Sequence, residues 1–221
     1  MERLNRGYPG LLFLPKAVPM SFIEWVEHVD KIAFTIVQTK LSAPWLDGIM
    51  LLLRNPYTWI PLYIFILYWI LKFDRMVTLK FICFSIACFA ITDYSTAHFF
   101  KPFFERLRPC YDSETLSAVR GIIGCGGKYS FPSSHAANHF GLASFWYYSI
   151  YLLTNRKWCW LWIWAFLISF AQVYVGLHFP LDIAGGAFLG TITGLGLATL
   201  FRTWVRLLPA DASKNSSLSL H

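Results

Sequence analysis

The chain has 221 residues, of which 56% are hydrophobic, 19% are aromatic and only 14% are charged. With a mean hydropathy of +0.48, it is too apolar and carries too few charges for an ordinary soluble domain. The formal net charge of +7 indicates anionic partners. Because most of the chain would lie inside a bilayer, we expect lipid headgroups or phosphorylated substrates and no nucleic acid.

The N-terminal region predicts two short helices that do not cross a membrane. Ser21 and Glu24 resemble a capping box, and from Ser21 to about Thr39 apolar residues recur at helical spacing with charged residues between them. Such a helix is too charged to span a bilayer and is typical of a helix at the membrane interface. Pro44 begins a second short helix that extends to about Leu53.

Five membrane spans follow by hydropathy, so the predicted fold class is all-α, an integral membrane helical bundle of about five transmembrane helices plus the N-terminal interfacial helices. The expected spans are 56–71, 79–99, 134–153, 158–175 and 181–204. The predicted organisation is an N-terminal tail (1–20), interfacial helices (21–55), a membrane domain (56–204) with an outer loop (101–133), and a cytoplasmic tail (205–221).

Basic residues set the expected orientation. The segments between spans one and two, between spans three and four, and after span five contain Lys72, Arg75, Lys80, Arg156, Lys157, Arg202, Arg206 and Lys214. Since basic segments favour the cytoplasm, we interpret this face as cytoplasmic and the loop 101–133 as lying outside. A five-span layout of this orientation would suit the inner (cytoplasmic) membrane of a bacterium, with the loop 101–133 on its periplasmic face.

Two further patterns concern helix packing and covalent structure. Span five contains Gly186, Gly190 and Gly194, a small-xxx-small pattern that lets another helix approach closely. Cys110 and Cys125 are the two cysteines predicted outside the cytoplasm, where an oxidising compartment would let them form a disulfide. No Cys/His spacing is typical of a zinc site, and we expect neither a metal nor a cofactor.

Ionisable residues collect where the spans end at the outer face. They are Lys101, Arg106, Arg108, His135, His178 and Asp182. Such residues at membrane depth are energetically costly and usually mark functional sites. Ser133 and Ser134 stand at a loop-to-helix boundary, whose free N–H groups suit an anion. A phosphate site needs fixed positive charge and several donors, and His178 with Asp182 supplies a nucleophile with an orienting partner.

Three motifs in these regions resemble those of the type 2 phosphatidic acid phosphatases, which are membrane-embedded relatives of vanadium haloperoxidases. Residues 101–109 fit the family's Lys-x6-Arg-Pro, and residues 132–135 fit its Pro-Ser-Gly-His with Ser134 at the glycine. Residues 171–182 fit its Ser-Arg-x5-His-x3-Asp, with Ala and Gln at the first two positions. The resemblance covers about residues 56–204.

The resemblance implies a metal-independent phosphatase that acts on a lipid phosphate such as undecaprenyl diphosphate, phosphatidylglycerophosphate, phosphatidic acid or lipid A. His178 would attack phosphorus and form a phosphohistidine, and Asp182 would orient its imidazole. His135 would protonate the leaving oxygen and then activate water. The substrate-binding residues would be Lys101, Arg108, Ser133, Ser134 and Gln172.

Gln172 is the main departure from the family pattern, because a neutral amide replaces a bidentate charged fork. Hydrogen bonds of charged groups contribute roughly 1.5–3 kcal/mol and neutral ones about 1, so we expect a deficit of about one to two decades in binding or rate. Arg106, Arg120 or Lys128 could supply the missing charge. A phosphotransferase that uses the same site, and a weakened lipid-binding pseudoenzyme, are the alternatives. Asp93 either balances the charge of the site or makes an interhelical hydrogen bond.

Overall fold

The computed structural model describes residues 20–206, and most of the two expected tails, 1–20 and 205–221, lies outside these residues. The described helices are α1 (Phe22–Thr39), α2 (Pro44–Arg54), α3 (Ile60–Ile70), α4 (Arg75–Tyr94), α5 (Lys101–Phe104), α6 (Ser134–Thr154), α7 (Trp160–Tyr174) and α8 (Pro180–Arg206). A π-helical segment, Ser95–Phe100, joins α4 to α5 without a break. No strand forms within residues 20–206, so the prediction of an all-α fold is confirmed.

Helices occur at all five expected spans, but the count of five transmembrane helices is not confirmed. Two helices, Arg75–Phe104 and Pro180–Val205, are long and apolar enough to cross a bilayer. The segments Pro44–Arg54 and Pro56–Ile70 meet at a 68° bend and qualify as a third span if they are taken together. The helix α7 is apolar but has only 15 residues.

The central helix is α6, which packs against α4, α7 and α8. Apolar side chains enclose its middle, where Phe145 of α6 packs against Phe81 of α4 and Phe201 of α8. Because neighbouring helices cover α6, its surface can include serine, glycine and asparagine without contact with lipid. This environment explains why α6, although it is 21 residues long, is less hydropathic than the membrane-spanning helices α4 and α8.

A glycine seam, formed by Gly186, Gly190 and Gly194 of α8, brings that helix into backbone contact with α6. A Cβ atom on each glycine would lie 2.3, 2.2 and 2.3 Å from the backbone oxygens of Ser133, Ala137 and Gly141, respectively. No side chain fits at such distances, so the close helix approach that the small-xxx-small pattern predicts is confirmed. The seam begins one turn from the expected active site.

The helix α1 begins with the expected capping box. Glu24 N–H donates to Ser21 Oγ at 3.2 Å, and Ser21 N–H donates to Glu24 Oε2 at 2.7 Å. One face of α1 exposes apolar side chains: Phe22, Ile23, Trp25, Val29, Ile32 and Ile36. The opposite face, with Asp30, Phe34, Val37 and Gln38, is buried against α7 and α8.

The outer loop folds back on itself between α5 and α6. Leu107 and Tyr129 form an isolated antiparallel bridge, and Ser130 N–H donates to Arg106 O at 2.8 Å. Cys110 and Cys125 form the expected disulfide across the same loop. This arrangement returns the chain from α5 to the start of α6 and holds residues 106–108 beside it.

Candidate active site

The imidazole of His178 lies against the carboxylate of Asp182 at the start of α8. Its Nδ1 atom is 3.4 Å from Asp182 Oδ2, a distance and angle at which no hydrogen bond is yet formed. The same Oδ2 accepts a hydrogen bond from Phe179 N–H at 2.8 Å, which fixes the carboxylate at the helix end. Catalytic hydrogen bonds are often long before substrate binds, so this contact can shorten in a complex.

The environment of His178 favours its neutral form. Complete burial lowers the pKa of the imidazole, although Asp182 opposes this effect, and the charges of Arg108 and Lys101 lower the pKa further. A neutral imidazole has a free lone pair on one ring nitrogen. Because Nδ1 faces Asp182, the nitrogen that remains for nucleophilic attack is Nε2.

Asp182 is also bound from its other side by Arg106. The Arg106 Nη1 atom donates to Asp182 Oδ1 at 2.7 Å, and Nη2 donates to Asp30 Oδ2 at 2.5 Å. The guanidinium lies 4.5 Å from the ring centroid of Phe179. Burial opposes the charge of Arg106, but the two carboxylates outweigh this effect and raise its pKa.

Lys101 and Ser134 come together across the gap between α5 and α6. Lys101 Nζ donates to Ser134 Oγ at 3.0 Å, and the hydroxyl of Thr96 donates to the same oxygen at 2.8 Å. Lys101 N–H donates to Thr96 O, the i−5 bond of the π-helical segment, so both residues reach Ser134 through that wide turn. A cation and a hydroxyl therefore lie at the N-terminus of α6, where free N–H groups favour an anion.

Ser133 caps α6 and joins it to α8. Its hydroxyl accepts from Ala136 N–H at 3.4 Å, and its own N–H donates to the backbone oxygen of Asp182 at 2.9 Å. Since this bond occupies the Ser133 amide, the free N–H groups of the helix start are those that follow it. His135, the next residue after Ser134, is partly exposed, and its carbonyl oxygen lies 2.8 Å from the His139 Nδ1 atom.

Arg108 is aimed by the outer loop. Its Nη1 atom donates to Cys125 O at 3.0 Å, and its Nε atom donates to Tyr129 O at 3.3 Å. The carbonyl of a disulfide cysteine therefore orients the guanidinium. Asp93, by contrast, makes an interhelical bond: it accepts from Asn138 Nδ2 at 3.0 Å.

Gln172 is fully buried at 0% exposure, and neither of its side-chain polar atoms has a hydrogen-bond partner within residues 20–206. No hydrogen bond joins it to the other predicted site residues in this part of the chain. Leaving a buried amide group unpaired costs about 1–3 kcal/mol. A phosphate oxygen that enters with the substrate could accept a hydrogen bond from Gln172 Nε2 and so reduce this cost.

The three cations that were expected to compensate for Gln172 make other contacts in the structure. Arg106 is shared between two carboxylates, and Arg120 binds both oxygens of Asp47 at 2.7 Å. Lys128 is exposed and lies over the ring of Tyr129 at 5.6 Å. The first two therefore have carboxylate partners already.

Arg54, at the end of α2, is a cation that the sequence reasoning missed. It lies within electrostatic range of both His135 and Arg108. Its Nε atom is buried without a hydrogen-bond partner, and it makes no ion pair with any described carboxylate. An arginine between two apolar segments, 44–53 and 56–71, was the available signal, because such residues usually face a functional cavity.

A sequence model of the PAP2 superfamily matches residues 78–206, which is more than half of the chain. The chain belongs to this superfamily. The match confirms the resemblance stated from the three motifs. It begins within α4, so α1 to α3 lie outside it.

Individual relatives agree with this membership. The chain is 33% identical over 177 residues to a lipid A 4'-phosphatase of Bacteroides thetaiotaomicron, covering 78% of this chain and 76% of that protein. It is 30% identical over 200 residues to an undecaprenyl-diphosphatase of Sulfolobus acidocaldarius, covering 85% and 88%, respectively.

The fold agrees with that of a solved PAP2-type phosphatidylglycerolphosphate phosphatase from Bacillus subtilis. The TM-score is 0.58 at 21% identity, and the match covers 84% of this chain and 89% of that one. The expectations of a phosphatase and of an integral membrane protein are therefore confirmed.

Proposed function

We propose that this phosphatase hydrolyses a lipid phosphate, a phosphomonoester or a diphosphate, through a phosphohistidine on His178. The observation that carries the proposal is the buried pair of His178 and Asp182 at 3.4 Å, with Lys101 bound to Ser134 on the facing helix. This is an oriented nucleophile beside a fixed cation and free helix N–H groups. Together these groups suit attack on phosphorus.

In the first step, the lone pair of His178 Nε2 forms a bond to phosphorus as the bond to the leaving oxygen breaks. His135 gives its proton to that oxygen. Asp182 stabilises the imidazolium character that develops on His178, while Lys101, Arg108 and the amides after Ser133 stabilise the equatorial oxygens.

In the second step, His135 takes a proton from water, and the water oxygen attacks the phosphohistidine. The bond from His178 to phosphorus breaks, and inorganic phosphate leaves. A phosphotransferase would use an acceptor hydroxyl in place of water at the same position.

The substrate class is proposed from the relatives and from the position of the site. Lipid A and undecaprenyl diphosphate, the substrates named for the two relatives, both present a phosphate at the end of a bilayer anchor. The site residues follow the ends of apolar helices, so a lipid tail can remain in the bilayer while its phosphate enters. We place the site on the periplasmic face of a bacterial inner membrane, which the basic segments of the opposite face support.

Arg54 is proposed to supply part of the charge that Gln172 lacks. Its positive charge acts electrostatically on His135, the proposed acid, and it has no carboxylate partner among the described side chains. A cation beside the acid would bind the oxyanions of the bound lipid phosphate. The positive charge that the family pattern places at position 172 of α7 would then come from Arg54 of α2.

The test is release of phosphate from a panel of lipid phosphates by detergent-purified protein in the presence of EDTA. We expect His178→Ala to abolish the release and His98→Ala, which alters an exposed histidine of the helix that leads to α5, to retain it. An acid-labile, alkali-stable phosphoryl group should be trapped on the wild type only. Release by His178→Ala at the wild-type rate would contradict the proposed nucleophile.

A further inference from the structure

The network behind the proposed nucleophile extends to α1, a helix outside the part of the chain that matches the superfamily. Asp30 is 4% exposed and lies on the buried face of α1. Its Oδ2 atom accepts from Arg106, and its Oδ1 atom accepts from Leu181 N–H at 2.9 Å. Asp30 therefore contacts both the arginine that holds Asp182 and the first turn of α8.

One cation is thus shared by two carboxylates. Asp30 and Asp182 each accept a hydrogen bond from a different nitrogen of Arg106, at 2.5 and 2.7 Å. This arrangement fixes the rotation of Asp182, because Oδ1 is bound to Arg106 and Oδ2 must face His178. It also leaves a net negative charge, since a single guanidinium does not neutralise two carboxylates.

The position of α1 does not depend on Asp30 alone. Gln38 Nε2 donates to Val173 O at 2.8 Å and to Tyr174 O at 2.9 Å. Lys31 forms an ion pair with Asp112 of the outer loop at 2.8 Å. Because these bonds remain when Asp30 is altered, a substitution there tests the carboxylate and not the attachment of the helix.

We propose that Asp30 is a positioning residue for phosphoryl transfer, which acts on His178 through Arg106 and Asp182. It draws Arg106 partly away from Asp182, so that Asp182 keeps both its orientation and the negative charge that stabilises the imidazolium of the transition state. The inference rests on the proposed role of His178 as nucleophile. It assigns to the N-terminal helix a direct part in the chemistry.

The pH dependence of the reaction distinguishes positioning from simple support. The charged and titratable groups that act on His178 lie on α5, the outer loop, α6 and α8, and they are Lys101, Arg106, Arg108, His135 and Asp182. Removing the charge of Asp30 leaves all of these in place and lets Arg106 neutralise Asp182 more fully. The pKa of His178 should then fall, and the acid limb of kcat/KM should move to lower pH.

The experiment compares kcat, KM and pH profiles of wild type, Asp30→Asn, Asp30→Glu and Glu27→Gln in detergent or in liposomes that contain the lipid phosphate. We expect Asp30→Asn to lower kcat about 10- to 100-fold with little change in KM, the range typical when a residue that orients a metal ligand through a hydrogen bond is removed. The acid limb should shift to lower pH. Asp30→Glu should recover part of the rate, and Glu27→Gln, an exposed site on the same helix, should behave as wild type.

Two results would overturn the inference. One is a wild-type rate and pH profile in Asp30→Asn. The other is a reduced rate with an unmoved acid limb and a lowered unfolding temperature, which would indicate structural support only. His178→Ala is measured in parallel. If this variant is inactive while Asp30→Asn has the wild-type rate and pH profile, only the role of Asp30 is rejected. If His178→Ala is fully active, the proposed function itself is rejected.

Discussion

The glycine seam between α6 and α8 predicts that Gly186→Ala damages catalysis more than its small size suggests. The added Cβ atom would lie 2.3 Å from the backbone oxygen of Ser133, the residue that caps the helix of His135. Neither partner is a flexible side chain, so the backbones themselves must move apart. Gly196, in the same helix, has no atom within 4 Å of the position that an added methyl group would take, and it provides the matched control.

The size of the effect follows from these distances. Real Cβ atoms essentially never approach other atoms closer than 3.0 Å, so the two helix starts must separate by about 0.7 Å. The separation strains the bond from Ser133 N–H to Asp182 O and moves His135 away from His178. A displacement of about 1 Å can cost about 100-fold in rate, and overpacking costs about 1–3 kcal/mol of stability.

The assay is phosphate release together with thermal unfolding in detergent, for Gly186→Ala and Gly196→Ala side by side. We expect the first to lose about 10- to 100-fold in kcat and to unfold at a lower temperature. The second should retain the rate and gain up to about 1 kcal/mol, because alanine favours a helix over glycine. Equal rates and equal unfolding temperatures for the two variants would refute the reasoning.

Four further predictions concern the charge and the covalent structure of the site. Gln172→Arg should raise kcat/KM about tenfold, because a charged bidentate donor replaces a neutral amide, and an unchanged rate would contradict the account of this position. Arg54→Gln should lower phosphate release several-fold, whereas a wild-type rate would leave that arginine without a role in the site. Reduction of the Cys110–Cys125 disulfide, which closes a separation of 15 residues, should lower the unfolding free energy by about 3 kcal/mol, measured by denaturant titration against Cys110→Ser. Because burial lowers the pKa of His178, the acid limb of kcat/KM should lie below the ordinary histidine value of about 6.5, and a limb above it would contradict a neutral buried nucleophile.

Local signals predicted much of the fold. The capping box at Ser21, the proline at the start of α2 and the glycine spacing in α8 each depend on neighbours in the sequence, and each is confirmed by the structure. The number of spans was harder, because hydropathy measures composition and not surroundings. A covered helix such as α6 can be polar, and a bent pair such as 44–54 with 56–70 can divide one span.

Within the site, too, contacts between residues close in the sequence could be predicted, and contacts between distant residues could not. His178 and Asp182 are four residues apart, so their pairing could be predicted from their spacing in the sequence. Asp30 and Arg106, by contrast, are 76 residues apart. In the sequence, Asp30 is one of several charged residues on an amphipathic helix, and the residues next to it do not indicate which distant residues it contacts. Arg54 escaped notice for a related reason, since it ends α2, a helix outside the region that the family motifs cover.

The π-helical segment 95–100 gives the site an unusual dependence on residue count. Its wide turn contains one more residue than an α-helical turn, and this excess sets the angle at which Lys101 meets Ser134. Deleting a single residue of α4, where no wide turn absorbs the change, would rotate everything beyond it by about 100°. Such a deletion could leave every motif legible in the sequence and yet turn the lysine away from the phosphate. The number of residues in this helix is therefore a requirement of the active site, and insertions and deletions there would reduce activity more than many substitutions.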